Sequence, residues 1–288
     1  MALRKSARRS RSLWKSKIWF LAPSLAGVGV FVLIPFLDMV RRSFYNSVTK
    51  EFSGIKNYEQ VFANQAFRLA LKNTVRFLGT GLPLLILLSL MISMMLYRRR
   101  YSEHLKTIFL FPMAVPTVTV AIIWKIFFYR DGILNMGLSL AGRPPVDWLG
   151  SDASFWVLVI CYLWKNTGYT IVLWLAGLKT IPVSLIEAAK VDGASGWKCF
   201  RYVILPELRP VFYTITILSL LNSFKIFREA YLVAGAYPQQ DMYLLQHLFN
   251  NWFTNLDVDQ MSAAVVCISA VLAFGILLLE RMGDGGKK

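Results

Sequence analysis

Long apolar runs alternate with shorter polar intervals along the whole chain. Several of these runs approach the roughly 20 residues that a helix needs to cross a bilayer, and few charges interrupt them. The pattern predicts an all-α integral membrane protein with six transmembrane helices, organised as one transmembrane domain over 18–279. The predicted spans are 18–40, 74–97, 107–129, 155–178, 211–227 and 261–279, between a basic tail at 1–17 and a polar tail at 280–288.

Composition agrees with a membrane protein, and the distribution of charge adds an orientation. Of the 288 residues, 56% are hydrophobic and 17% are charged, with a formal net charge of +16. Of the 32 lysines and arginines, 19 fall in segments that would face the cytosol and nine in the outer segments. This bias predicts that both termini are cytoplasmic. Because the basic residues lie beside the spans, we expect contacts with membrane lipid and no nucleic-acid partner.

The polar interval 181–210, between spans 4 and 5, has an ordered internal pattern. It reads IPVSLIEAAKVDGASGWKCFRYVILPELRP. Pro182 suits the first turn of a helix, and Ile186 and Ala189 fall on one face of that helix. Gly193 is expected to end it, because glycine adopts a left-handed conformation without steric cost.

A second short helix is predicted directly after this bend. Its apolar positions, at a spacing of i, i+3 and i+7, are Trp197, Phe200 and Ile204, and Pro206 and Pro210 follow them. With six spans, the two helices fall on the cytosolic side of the membrane. An ordinary amphipathic hairpin that lies on the membrane surface is the alternative interpretation.

At these residues the chain resembles the EAA loop of permease subunits in binding-protein-dependent ABC importers, of the carbohydrate (maltose-type) branch. The matching positions are Glu187, Ala188, Ala189, Asp192, Gly193, Ala194, Phe200, Ile204, Leu205, Pro206 and Pro210. In that family the loop couples the permease to a cytosolic ATPase subunit, in whose cleft it sits. The resemblance therefore implies a coupling role for Glu187, Ala188, Ala189, Asp192, Gly193, Ala194, Ile204 and Pro206.

The resemblance also implies an assembly and a class of solute. It implies a second homologous permease subunit, two ATPase subunits that bind ATP with magnesium, and an extracytoplasmic solute-binding protein, in a bacterial or archaeal plasma membrane. This chain would bind no cofactor, and Gly193 to Lys198 lacks the ending of a Walker sequence. The implied solute is a sugar or oligosaccharide, with a non-sugar solute such as a glycerol phosphate as the alternative.

Catalytic and metal-binding clusters are not evident in the sequence. The cysteines and histidines are widely separated: Cys161, Cys199, Cys267, His104 and His247. Glu187 has no second carboxylate or nucleophile at a useful spacing, so the chain is not expected to be an enzyme. A stand-alone secondary transporter or channel is the main competing hypothesis. Such a protein usually carries carboxylates within its spans, whereas the predicted spans contain only Asp38, at the end of the first.

Polar and aromatic residues within the spans are candidates for a translocation path. A mid-span charge costs roughly 2.5–3.5 kcal/mol on insertion scales, so it normally faces a cavity or a partner. Lys165, followed closely by Gly168, suggests a kinked helix beside a water-filled path, and a helix–helix contact in which Lys165 pairs with a neighbour or a carbonyl is the alternative. For Lys225, snorkelling to the outer interface is the alternative to contact with the substrate. The candidate substrate path comprises Trp124, Trp164, Lys165, Asn166, Tyr169, Asn222 and Lys225. The aromatic members could instead serve packing or an interfacial belt.

Overall fold

The computed structural model describes residues 21–97 and 102–284. The predicted basic tail at 1–17, the start of span 1, the arginines at 98–100 and the last four residues of the polar tail lie outside these ranges. The described residues form two compact units. One contains residues 21–63 and 255–270, and the other contains residues 64–254 and 271–284.

Apolar helices long enough to cross a membrane dominate the described chain. Five pass the test of length and hydropathy: Leu21–Arg42, Gln65–Leu96, Ala153–Thr180, Arg209–Ala234 and Val258–Gly283. A sixth candidate is a bent pair, Thr107–Ala114 with Thr117–Leu140, whose two parts meet at 99°. The prediction of an all-α membrane protein is confirmed, with five spans or six if the bent pair counts as one.

The first unit contains a long exposed helix and a small polar hairpin. Helix α1 (Leu21–Arg42) exposes its apolar side chains along its whole length, and Phe31 for example is 80% exposed. Such a helix is stable only in lipid or against another apolar surface. After α1, the chain turns through a hairpin closed by a bridge between Tyr45 and Phe52 into α2 (Lys56–Ala63). The side-chain amide of Asn57 donates to the carbonyl oxygens of Ser43 and Tyr45, at 3.0 Å each.

The second unit contains most of the helices. In chain order they are α3 (Gln65–Leu96), α4 (Ser102–Ala114), α5 (Thr117–Phe128), α6 (Ile133–Leu140), α7 (Ala153–Thr180), α8 (Val183–Val191), α9 (Gly196–Cys199), α10 (Leu205–Glu207), α11 (Arg209–Ser223), α12 (Phe227–Ala234) and α13 (Leu245–Thr254). A π turn (Phe200–Ile204) joins α9 to α10, and a 3₁₀ turn (Phe224–Ile226) joins α11 to α12. The last helix, α14 (Val258–Asp284), contributes residues 258–270 to the first unit and 271–284 to the second.

Helix α7 is at the centre of the second unit, packed against α3, α4 and α11. At Gly168 its backbone lies close to α4, where an added Cβ would lie 1.8 Å from the carbonyl oxygen of Phe109. The sequence suggested a kink near this glycine, but α7 is one continuous helix. Gly168 instead lets two backbones approach more closely than any side chain would permit.

Two predicted spans have different limits in the structure. Span 2 begins at Gln65 rather than 74, because Asn64 caps α3 by accepting the Phe67 N–H at 3.1 Å. Span 5 does not end at 227, since the helical path continues through the 3₁₀ turn to Ala234. Both polar flanks that the sequence assigned to loops are therefore partly helical.

Span 3 was predicted as one helix over 107–129, and the structure breaks it. Helix α4 ends at Ala114 and α5 begins at Thr117, with Pro116 in an extended conformation between them (ψ 142°). Proline lacks an N–H, and it disfavours the helical conformation of the residue before it, here Val115. Two half-helices replace the expected continuous span.

The segment between α12 and α13 is tied to α3 by polar contacts. The side-chain amide of Asn73 donates to the carbonyl oxygens of Gln240 and Tyr243, at 2.6 and 3.0 Å. The hydroxyl of Thr74 accepts the Leu245 N–H at 3.0 Å and so satisfies the start of α13. These contacts give the segment a defined place against α3.

His247 completes the start of α13 from within that helix. Its Nδ1 accepts the Leu244 N–H at 3.2 Å, which is the role that Glu or Gln plays at this position in a capping box. The side chain is fully buried between the rings of Phe227 and Tyr243. This burial lowers the pKa of His247 to about 4, so the imidazole is neutral at physiological pH.

Candidate functional site

Two breaks between helices and the middle of a third helix surround a polar cavity in the second unit. These are the break between α4 and α5, the middle of α7, and the junction of α11 with α12. The cavity has a volume of about 120 Å³ and is lined by Met113, Thr117, Lys165, Asn166, Asn222, Lys225, Ile226, Arg228 and Glu229. It lies within the part of the chain that the long apolar helices identify as membrane-spanning.

The interruptions in the helices occur at the cavity itself. Thr117 is the first residue of α5 after the break at Pro116, and Ile226 belongs to the 3₁₀ turn between α11 and α12. Irregular backbone at membrane depth is tolerated only where it is buried in protein or lines a water-filled cavity. Two such breaks around one polar cavity are typical of a translocation path.

A buried ion pair joins α7 to α12 at the wall of the cavity. Lys165 Nζ donates to Glu229 Oε1, and the Glu229 side chain is only 2% exposed. The second carboxylate oxygen, Oε2, has no hydrogen-bond partner among the described residues. Removing either member of such a pair strands a buried charge, so the pair constrains the geometry of α7 against α12.

The cavity also corrects the expectation that carboxylates are absent from the inner parts of the spans. Glu229 was assigned to an outer segment, but it lies within the helical run Arg209–Ala234. The predicted span 211–227 has only 17 residues, fewer than the roughly 20 needed to cross a bilayer. Extending it to that length would have included Arg228 and Glu229, the two charged lining residues that the predicted substrate path lacks.

Four residues of the predicted substrate path meet at this cavity: Lys165, Asn166, Asn222 and Lys225. Lys225 Nζ donates to the Asn222 side-chain oxygen at 2.8 Å. The side-chain amide of Asn166 donates to the Tyr162 carbonyl oxygen at 2.9 Å. The cavity therefore presents both charged and neutral polar groups to whatever fills it.

The three aromatic members of the predicted path do not line the cavity. Trp124 is 7% exposed and stacks on Phe128 with ring centroids 5.2 Å apart, while Trp164 meets it edge-on at 5.7 Å. Tyr169 is half-buried on α7. Trp124 and Trp164 thus belong to the apolar core around α5 and α7, which was the packing alternative.

The segment that resembles the EAA loop forms two helices joined by a tight bend. Helix α8 ends in a Schellman motif, in which Gly193 has φ +77°. The Ala194 N–H bonds to the Ala189 carbonyl at 2.9 Å, and the Gly193 N–H bonds to the Lys190 carbonyl at 3.0 Å. Ser195 then caps α9 by accepting the Lys198 N–H at 3.4 Å.

One side of this bent pair packs on the spans. Ile186, Cys199, Ile204 and Leu208 are buried in one cluster with residues of α3 and α7 such as Trp174. Of the matching loop residues, Glu187, Ala188, Asp192 and Gly193 are exposed, and Ala189, Ala194 and Pro206 are half-buried. The segment is therefore attached to the spans through one face and leaves a second face accessible.

The second helix shows a different face from the one that its sequence spacing predicts. Trp197 is 70% exposed, whereas Cys199 is buried and takes its place in the core. The π turn at Phe200–Ile204 contains more residues per turn than an α-helix, so positions before and after it no longer share one face. Only Ile204 of the three spaced apolar residues is fully buried.

Within residues 21–97 and 102–284, no three His, Cys, Asp or Glu side chains lie close enough together to hold a metal ion. The cavity contains one carboxylate among its lining residues, and that carboxylate already contacts Lys165. The arrangement is suited to noncovalent contact with a polar solute.

The sequences of known proteins place the chain in a family. The family model of the binding-protein-dependent transport system inner membrane component matches residues 85–284. The trehalose/maltose transport system permease protein MalF of Thermococcus litoralis is 33% identical over 268 residues, covering 90% of this chain and 91% of the relative. The lactose transport system permease protein LacF of Rhizobium radiobacter is 31% identical over 271 residues, covering 88% and 90%.

Solved structures support the same fold. A chain from a bacterial ABC transporter involved in the import of the acidic polysaccharide alginate matches with a TM-score of 0.81, at 23% identity and with full coverage of both chains. The same kind of transporter in complex with an alginate pentasaccharide-bound periplasmic protein matches with a TM-score of 0.79. The resemblance inferred from the loop residues is confirmed by the sequence matches: this chain belongs to the family of binding-protein-dependent transport system inner membrane components.

Proposed function

We propose that this chain is the permease subunit of an ABC importer and forms, with a second homologous permease, the translocation path for a sugar or oligosaccharide. The observation that carries the proposal is the bent helix pair α8–α9, attached to the spans on one face and exposed on the other. Relatives named for trehalose/maltose and lactose transport support a sugar as the solute.

The exposed face of α8–α9 is the proposed contact with a cytosolic ATPase subunit. Glu187 and Ala188 lie on it, and Gly193 gives the bend that separates the two helices. The opposite face, through Ile186 and Ile204, is packed with α3 and α7. A rigid pair that moves with an ATPase cleft would therefore carry the attached spans with it.

The proposed assembly separates ATP hydrolysis from the translocation path. ATP and magnesium bind to two partner ATPase subunits, and an extracytoplasmic solute-binding protein delivers the solute to the outer side. The membrane is the plasma membrane of a bacterium or archaeon. The cavity around Lys165, Asn166, Asn222 and Lys225 is this chain's contribution to the path, which the second permease completes.

Orientation can be tested by labelling a cysteine on α8. Ser184 is exposed, the native Cys161 and Cys199 are buried, and the partly exposed Cys267 is replaced by serine in the labelling background. In right-side-out vesicles, Ser184→Cys is expected to resist a membrane-impermeant maleimide until the membrane is permeabilised. Labelling of Ser184→Cys in intact vesicles would place the helix pair outside and contradict the coupling role.

Coupling can be tested at the bend with Gly193→Asp. A side chain at φ +77° is strained, and aspartate adds a charge to the proposed interface. We expect normal membrane insertion but loss of most ATP-driven uptake by the reconstituted importer, with hydrolysis that no longer depends on the loaded binding protein. Gly196→Ala is the matched control, because Gly196 has no positive φ and no atom within 4 Å of an added Cβ.

Two results would count against this function. Uptake at the wild-type level in Gly193→Asp would remove the coupling role of the bend. Uptake by the wild-type chain without ATP hydrolysis would favour a stand-alone secondary transporter. Such a protein uses carboxylates within its spans, and Glu229 is one.

A further inference from the structure

The cavity carries more positive charge than its own carboxylate can neutralise. Lys165, Lys225 and Arg228 line it, against the single carboxylate of Glu229. Three positive charges and one negative charge leave a net charge of two positive. Because Lys165 already pairs with Glu229, the excess resides on Lys225 and Arg228.

Neither of these two cations has an anionic partner in the described part of the chain. Lys225 donates to the neutral side-chain oxygen of Asn222, and the ion pairs formed among the described residues do not include Arg228. Both side chains are exposed although they belong to a span. Cations within spans are costly and normally mark ion or substrate pathways. A neutral sugar needs only hydrogen bonds, which amides such as Asn166 and Asn222 supply without that cost.

The Glu229 carboxylate does not offer a second contact in this conformation. Its Oε2 atom is buried and receives no hydrogen bond from any described residue, and its Oε1 atom already accepts from Lys165. The groups that a solute can meet are therefore the two unpaired cations and the amides of Asn166 and Asn222. This set matches a solute that carries both an acidic group and hydroxyl groups.

We propose that the solute carried through this path is an anionic saccharide, whose carboxylate or phosphate group lies against Lys225 and Arg228. This inference rests on the importer function proposed above and specifies its substrate class. The volume of about 120 Å³ is smaller than the roughly 300–1,000 Å³ of pockets that enclose whole ligands. In this conformation the cavity therefore accommodates the acidic group, and the sugar rings extend beyond it.

The test is ATP-driven uptake into proteoliposomes that contain the importer complete with its partner subunits and binding protein. The probes are labelled neutral disaccharides, the same disaccharides with the C6 hydroxyl oxidised to a carboxylate, and glucose 6-phosphate, which separates the two sources of negative charge. The variant is Lys225→Gln/Arg228→Gln. Lys125→Gln is the matched control, because it removes a cation from α5 that does not line the cavity.

The wild-type importer is expected to take up at least one anionic probe at least tenfold faster than the neutral disaccharides. The double variant should lose at least tenfold of that uptake, and Lys125→Gln should stay within twofold of the wild type. The KM for the anionic probe should rise between 50 and about 500 mM KCl in the wild type and stay constant in the double variant, because salt screens the contact.

Three outcomes would overturn the inference. Uptake of neutral disaccharides that equals or exceeds uptake of the anionic probes would refute the substrate class and leave the importer function standing. Dissociation of the two permeases in the double variant, seen by size-exclusion chromatography, would assign the cations to an acidic partner chain instead. Absence of ATP-driven uptake of every probe would refute the anionic saccharide and the sugar importer together.

Discussion

The contact of Gly168 with α4 gives the sharpest prediction for a single added methyl group. In Gly168→Ala the new Cβ would lie 1.8 Å from the carbonyl oxygen of Phe109, whereas real Cβ contacts essentially never fall below 3.0 Å. Helices α4 and α7 must therefore separate by about 1.2 Å at this point. The obstacle is a backbone atom, so no rotation of a side chain can relieve it.

The magnitude follows from two opposing effects. Overpacking typically costs about 1–3 kcal/mol, and the upper part of this range applies where backbone must move. Alanine recovers up to about 1 kcal/mol of helix propensity relative to glycine. We expect a net loss of about 2 kcal/mol, which for a chain of this size corresponds to a fall in Tm of roughly 4–8 °C.

Thermal unfolding of the detergent-solubilised importer, followed by tryptophan fluorescence, measures this loss. Gly79→Ala in α3 is the matched control, because its Cβ would meet no atom within 4 Å, and it should leave Tm unchanged or raise it. Gly177→Ala should fall between the two, since its Cβ would meet the two γ carbons of Val211 at 2.7 and 2.9 Å, and side-chain atoms yield more readily than a backbone carbonyl. A Tm for Gly168→Ala equal to that of Gly79→Ala would refute the close approach of α4 to α7.

Two further predictions concern buried ionisable groups, and the same unfolding assay measures both. Lys165→Met leaves the Glu229 carboxylate buried without its partner and should lower the free energy of unfolding by about 3–5 kcal/mol. The double variant Lys165→Met/Glu229→Gln should lose clearly less. A loss in the double variant equal to the sum of the losses in the two single variants would contradict the ion pair. Because burial lowers the pKa of His247 to about 4, the unfolded chain binds more protons than the folded one between that value and its ordinary pKa near 6.5. Stability should therefore fall, by at most about 3 kcal/mol, as the pH drops through this window. His247→Gln, whose side chain can still accept the Leu244 N–H, should flatten the dependence, and an unchanged slope would exclude His247 as its cause.

Features that depend on local sequence could be predicted without the structure. A bilayer offers no water to an unpaired backbone group, so apolar runs of sufficient length must become helices wherever they pack. The bend at Gly193 is equally local, because a helix end that needs a left-handed residue selects glycine whatever surrounds it. The all-α membrane class, the number of spans to within one, and the family resemblance all come from such signals.

Features that depend on which helices pack against each other were decided by the tertiary structure. Lys165 and Glu229 are 64 residues apart, and nothing in the periodicity of either span indicates that α7 meets α12 at those positions. Gly168 reads as a kink in sequence and becomes a backbone contact only because α4 packs there. The π turn after α9 likewise moved Trp197 out of the core and Cys199 into it. The sequence of a span specifies that it crosses the membrane, but the identity of its neighbour follows from the packing of all the helices together, and that packing is what assembles the charged cavity.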